Sequence, residues 1–120
     1  MGKLVLPITW LLGVIFIVIG VLGFVTGSPL IVFEVDSVHN VVHLLSGVIA
    51  LICAAVGYKA SKGYLIVFGL SYGLVSALGF LRDGDILGLL HMNTMDNYLH
   101  LGISVVALFT GLFSSPEEEV

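Results

Sequence analysis

Two stretches of the chain carry the same pattern, "NVVHLLSGVIAL" at Asn40–Leu51 and "NYLHLGISVVAL" at Asn97–Leu108. Each begins with Asn, has His three positions later and ends in Ala-Leu after small residues. The second stretch lies 57 positions after the first. Self-similarity of this kind is typical of folds built from repeated units, so it decides the predicted architecture.

Residues upstream of each stretch also recur, at an offset of 56 positions. The sequence therefore predicts a helix, an outer loop and a second helix, repeated once, in about residues 4–58 and 63–114. Both copies would enter the membrane from the same side, so their pseudo-twofold axis should run along the membrane normal. The matching upstream residues are Gly13 with Gly69, Gly23 with Gly79, and Phe24 with Phe80.

The composition predicts that the chain uses lipid as its solvent. Hydrophobic residues make up 58% of it and charged residues 10%, against roughly 25% charged in soluble domains. A soluble fold of this size could not hide so much apolar surface. Four apolar runs approach the roughly 20 residues that cross a bilayer, which predicts an all-α membrane protein: a four-transmembrane-helix bundle forming one domain over residues 1–120. The runs are Leu4–Val25, Val41–Tyr58, Tyr64–Leu81 and Tyr98–Phe113.

The basic residues predict the orientation. Lys3, Lys59 and Lys62 would lie on one side of the membrane and Arg82 on the other. Cytoplasmic loops carry an excess of Lys and Arg, so both termini and a turn at Lys59–Lys62 should be cytoplasmic. The acidic segment 115–120 would then be a solvated cytoplasmic tail.

Small residues recur along one face of the second and fourth helices. Their alternating spacing of three and four positions keeps them on a single helical face. In lipid, close packing through small residues replaces the hydrophobic effect as the cause of helix association. The residues predicted to form these packing faces and their polar network are Asn40, Gly47, Ala50, Asn97, Ser104 and Ala107.

The two outer loops are unusually apolar, at Leu30–Phe33 and at Ile86–Leu90. A loop that faces bulk water rarely carries so many aliphatic side chains. We expect these loops either to lie at the membrane surface as interfacial segments or to fold over the bundle as a lid.

His43 and His100 occupy equivalent positions, about two turns inside their helices. Exposing a polar side chain to lipid is costly, so both should point into the bundle and lie close together. The simplest hypothesis is structural: the histidines, with Asn40 and Asn97, make hydrogen bonds that set the register between the two repeats.

A second hypothesis makes His43 and His100 axial ligands of a tetrapyrrole, either haem b or a chlorophyll. Two imidazoles at one depth can hold a haem iron from both sides, and the surrounding small residues would leave room for a macrocycle. Only Arg82 and nearby amides would be available on this side to pair with haem propionates.

A third hypothesis is a zinc or copper site, or a proton relay, at an outer histidine cluster. His39 lies one helical turn before His43, the i, i+4 spacing found in metal-binding helices. Asp36 or Asp96 could supply a carboxylate ligand. The candidate metal ligands are His39, His43, His91 and His100.

Other functions have little support in the sequence. Ser46 and Ser104 lack an evident carboxylate–histidine arrangement, and Cys53 lies midway through an apolar run. We therefore favour a non-enzymatic protein. A net charge of −4 with four basic residues argues against nucleic-acid binding.

The chain resembles the small four-helix membrane proteins of the DUF4383 family, found in bacteria and archaea. The resemblance lies in the two Asn-x-x-His-Leu stretches and in the Gly-Phe pairs near the ends of the first and third apolar runs. The resemblance covers about residues 8 to 114. It implies a four-helix fold and a prokaryotic inner-membrane location, and it implies no catalytic residue. The second copy departs from the first at Asp96 and Ser104, where the first has His39 and Gly47.

These observations predict an integral membrane subunit or scaffold that acts through helix–helix contacts. Its partners would be the lipid bilayer and either a larger membrane complex or further copies of itself. Tetrapyrrole binding and a small-metal site or proton relay are the alternatives.

Overall fold

The computed structural model of the chain describes residues 2–27, 36–86, 88 and 90–114. The first outer loop, with its apolar run Leu30–Phe33, and the acidic tail 115–120 lie outside these residues, and so do the predictions made for them.

Four helices and one small β-hairpin make up the described fold. Three helices are confirmed as long and apolar enough to cross a membrane, whereas α4 is shorter. The elements are α1 (Gly2–Thr26), α2 (Ser37–Val56), α3 (Tyr58–Leu81), β1 (Asp85–Ile86), β2 (Leu90–His91) and α4 (Thr94–Leu112).

The connection between α2 and α3 is tighter than the sequence suggested. The predicted turn at Lys59–Lys62 is wrong, because those residues already belong to α3, and Gly57 alone separates the two helices. Gly57 adopts φ 136° and ψ −162°, a backbone conformation that favours glycine. Because Lys and Ala are good helix formers, the polar run after Gly57 continues as helix.

The helices pack most extensively in sequential pairs, α1 against α2 and α3 against α4. Contacts of α1 and α2 with α3, and of α1 with α4, join the two pairs. Phe16, Leu65 and Tyr72 belong to the buried core between them. Large aliphatic side chains such as those of Val25 and Leu81 are exposed on the outside, as expected of a surface that faces lipid.

Each helix pair contains a close contact between a glycine and an asparagine. A Cβ atom built on Gly23 would overlap the side-chain amide of Asn40, and one on Gly79 would overlap that of Asn97. Glycine therefore lets each asparagine side chain lie directly against the neighbouring helix backbone. These contacts fix how closely the two helices of each pair approach.

We expect Gly79→Ala to lower the free energy of unfolding by about 1–3 kcal/mol, because the added methyl group forces Asn97 out of its place. Gly102→Ala is the matched control, since a Cβ there has no described atom within 4 Å and alanine favours helix by about 1 kcal/mol. Thermal unfolding in detergent measures both. Equal stability of Gly79→Ala and Gly102→Ala would contradict the close contact between Gly79 and Asn97.

The second outer loop forms an antiparallel β-hairpin that the sequence analysis did not predict. Asp85 pairs with His91 and Ile86 with Leu90. The backbone N–H of Met92 donates to the carbonyl of Gly84 at 2.8 Å, which extends this pairing by one contact. Strands of two residues give too short an alternation to recognise in a sequence.

Lys62 ties the start of α3 to the end of α4. Its Nζ donates to the carbonyl of Gly111 at 2.6 Å and to that of Ser114 at 3.0 Å. The Tyr58 hydroxyl donates to Ser114 Oγ at 2.9 Å. The last carbonyls of a helix lack partners within it and carry a partial negative charge, so an ammonium group there stabilises α4.

Replacing Lys62 with Met should lower the free energy of unfolding by about 1–2 kcal/mol, because those carbonyls lose their charged donor. Lys59→Met removes the same charge from an exposed neighbour and should be nearly neutral. Denaturant unfolding in detergent compares the two variants. A loss of equal size in both would mean that general charge, and not the contact to α4, is responsible.

Candidate metal site

Three histidine side chains meet inside the bundle. Ring centroids are 4.3 Å apart for His39 and His43, 5.4 Å for His39 and His100, and 6.1 Å for His43 and His100. One nitrogen from each ring can be chosen so that all three lie within 4.8 Å of one another. All three side chains are at most 2% exposed. The structure thus brings His43 and His100 together with His39, whose position 57 residues later is occupied by Asp96.

The starts of two helices place these side chains. Asp36 caps α2 by accepting the backbone N–H of His39 at 2.8 Å. Asn93 and Asp96 form a capping box on α4, each side chain accepting the backbone N–H of the other at 2.9–3.0 Å. His39 and His43 then lie one turn apart on the same face of α2. The predicted carboxylate ligands, Asp36 and Asp96, thus serve as helix caps.

Aromatic rings from the other two helices enclose the cluster. Phe16 of α1 stacks on His43 with a centroid distance of 5.7 Å, and on Tyr72 of α3 at 5.1 Å. Tyr72 lies 5.3 Å from His100, and its hydroxyl shares a 3.0 Å hydrogen bond with Ser46 Oγ. All four helices therefore contribute to the walls of the site.

Sequence reasoning missed Phe16 and Tyr72, although a signal for both was present. They are 56 positions apart, the same offset that relates Gly13 to Gly69. An aromatic residue at equivalent places in the two halves points to a shared position in the core. Tyr64 is buried as well, and its hydroxyl donates to the Ser46 carbonyl at 2.9 Å.

The nitrogens of two of these histidines lack hydrogen bonds. Both ring nitrogens of His43 and both of His100 have no partner among the described residues. Burying a polar group without a partner costs about 1–3 kcal/mol, and buried side-chain polar atoms in native proteins are mostly satisfied. Two neighbouring buried imidazoles whose nitrogens have no hydrogen-bond partner among the described residues are suited to bind a metal ion or another ligand.

The predicted packing residues are all buried, and serine hydroxyls help to place α4. Ser104 Oγ donates to the carbonyl of Gly69 at 2.7 Å, and Ser76 Oγ donates to that of Asn97 at 2.8 Å. These bonds fix α4 against α3 and hence the depth of His100. The other buried members of the predicted set are Asn40, Gly47, Ala50 and Ala107.

Two other predicted ligand arrangements differ from this cluster. The side chain of His91, on β2, lies outside the described part of the structure. A haem held by both His43 and His100 would need its macrocycle between two rings whose centroids are 6.1 Å apart, and His39 packs against both rings, at 4.3 and 5.4 Å. The packing of three rings in mutual contact therefore favours a small ion.

Residues 8–113 match the family model described as "Domain of unknown function (DUF4383)". The chain belongs to the DUF4383 family. The match covers most of the chain and confirms the family resemblance predicted from the two Asn-x-x-His-Leu stretches. No curated protein and no solved structure matches the chain.

Proposed function

We propose that this DUF4383 protein crosses the bilayer four times and binds one transition-metal ion between His39, His43 and His100. The observation that carries the proposal is the meeting of three buried imidazoles whose ligand atoms lie within 4.8 Å of one another. Imidazole is a common ligand of zinc, copper, iron and nickel. Imidazole binds such an ion at about 2.0–2.1 Å, so the rings would have to rotate and bring these nitrogens closer together.

The surface and length of α4 support a fourth span. Its outward side chains, among them Val105, Phe109 and Leu112, are exposed and apolar like those of the other helices. With 19 residues, α4 is about 28 Å long at 1.5 Å per residue. This is close to the thickness of a hydrocarbon core, about 30 Å.

The distribution of basic residues supports an inner-membrane orientation with both termini in the cytoplasm. Lys59 and Lys62 begin α3, and Lys62 contacts the end of α4. Lys3 begins α1. Three lysines at one end of the bundle agree with the positive-inside tendency. The parallel-repeat proposal is supported by the Gly–Asn contact found in each helix pair.

The ion would join the two halves of the bundle. His39 and His43 come from α2, His100 comes from α4, and these helices are not a closely packed backbone pair in the part of the chain that the structure describes. A shared ion would link them and give one nitrogen of His43 and one of His100 a partner. Such a non-enzymatic, metal-stabilised unit is compatible with the role of a scaffold in a larger membrane complex.

Purified protein in detergent, freed of metal by chelation, should bind one Zn²⁺ per chain. At a free ion concentration 100 times Kd, unfolding should become about 2.7 kcal/mol less favourable. His100→Leu should abolish the binding. Without metal the same variant should be as stable as the wild type or more so, because leucine removes two buried nitrogens that have no described partner. Calorimetric titration and thermal unfolding measure these effects.

His91→Leu is the control, since the proposal assigns no ligand to His91. It should keep the binding stoichiometry of the wild type. Loss of binding in His91→Leu, or retention in His100→Leu, would contradict the proposed site. A metal-free His100→Leu protein that unfolds more easily than the wild type would instead support the structural hypothesis, in which the histidines act through hydrogen bonds.

The absorption spectrum of the natively purified protein tests the tetrapyrrole alternative. The small-ion proposal requires a preparation without a haem or chlorophyll band. A Soret band that disappears in both His43→Ala and His100→Ala would establish axial ligation and overturn the proposal.

A further inference from the structure

A cavity of about 100 Å³ lies beside the histidine cluster. His39 and His100 form part of its wall, and Met92 lies in the same wall. The remainder is contributed by apolar, hydroxyl and aromatic side chains of α2 and α3: Val42, Ser46, Phe68, Ser71, Tyr72 and Val75. No carboxylate lines this cavity among the described residues.

Met92 is held at this position by the β-hairpin. Its backbone N–H donates to the Gly84 carbonyl at 2.8 Å, directly after β2. The residue is 5% exposed, although it belongs to a connecting segment, where side chains are usually exposed. The hairpin therefore brings a sulfur-containing residue into the wall of the cavity that His39 and His100 share.

Met92 also lines a second cavity, of about 270 Å³, at the loop end of the bundle. Polar residues of this second cavity include Asp83, Asn93, Thr94 and Asn97. Met92 thus contributes to the walls of both the polar cavity and the cavity of the histidines.

We propose that the ion of the three-histidine site is Cu(I) and that the Met92 thioether is its fourth ligand. This inference rests on the metal site proposed above. Thioether sulfur is a soft ligand that favours Cu(I) over hard ions, whereas zinc is bound by thiolate, imidazole and carboxylate ligands. Moreover, the described residues of the cavity wall include no carboxylate to balance the ion, and a single positive charge costs less to bury than two.

Met92→Leu tests the assignment, because leucine nearly preserves the volume and removes the sulfur. Met95→Leu is the matched control, since Met95 is 48% exposed on α4. Metal-free full-length protein in detergent is titrated anaerobically with Cu(I) against a chromophoric Cu(I) chelator, and separately with Zn²⁺. Copper K-edge X-ray absorption on the loaded proteins identifies the ligand atoms.

In Met92→Leu the Cu(I) affinity should fall roughly tenfold or more, which is what loss of even an outer-shell partner costs a metal site. Its Zn²⁺ affinity should stay unchanged, and Met95→Leu should match the wild type with both ions. The copper K-edge X-ray absorption spectrum of Cu(I)-loaded wild-type protein should contain the signal of one sulfur ligand. The spectrum of Cu(I)-loaded Met92→Leu should lack this signal.

Two results would overturn the copper assignment and leave the histidine site standing. One is unchanged Cu(I) affinity in Met92→Leu with no sulfur scatterer in the wild type, while His100→Leu still loses both ions. The other is an equal loss of Cu(I) and Zn²⁺ affinity in Met92→Leu, which would make Met92 a packing residue. A wild type that binds neither ion would refute the proposed metal site itself.

Discussion

The constraint on which the structure depends is that polar groups inside a lipid-facing bundle must be satisfied by the protein itself. Most described polar groups meet it locally: serine hydroxyls donate to backbone carbonyls, Asp36 and Asn93 cap helices, and Lys62 covers the last carbonyls of α4. The ring nitrogens of His43 and His100 and the side-chain oxygens of Asn40 and Asn97 are exceptions, because they have no hydrogen-bond partner within the described residues. The proposed ion would reduce this cost by giving one nitrogen of His43 and one of His100 a partner.

The packing divides the bundle into two parts with different kinds of contact. Within each sequential helix pair, glycines allow the backbones to approach and the Asn40 and Asn97 side chains to lie against them. Between the pairs, Phe16, Tyr72 and the histidines form a continuous group of stacked and tilted rings. Ligation at this junction would act where the two halves meet, which is why a metal site and a scaffold role are compatible.

Much of this architecture could be predicted from the sequence, because helix period and apolar run length are local properties. The proximity of His43 and His100 followed from their equivalent positions and from the cost of exposing them to lipid. The start of α3 at Tyr58 and the β-hairpin were missed, since each depends on a single glycine conformation or a two-residue pairing. The contribution of Met92 could not be foreseen, because only the hairpin brings this loop residue to the cavity.

The most direct test of the central claim is the proximity of the imidazoles in a bilayer. Solid-state NMR of protein labelled only at its four histidines, in lipid membranes, detects through-space contacts between the rings. The account predicts ring-to-ring contacts among His39, His43 and His100, with those of His100 absent in a His100→Leu sample. A His100 ring that contacts neither of the other two would contradict the account.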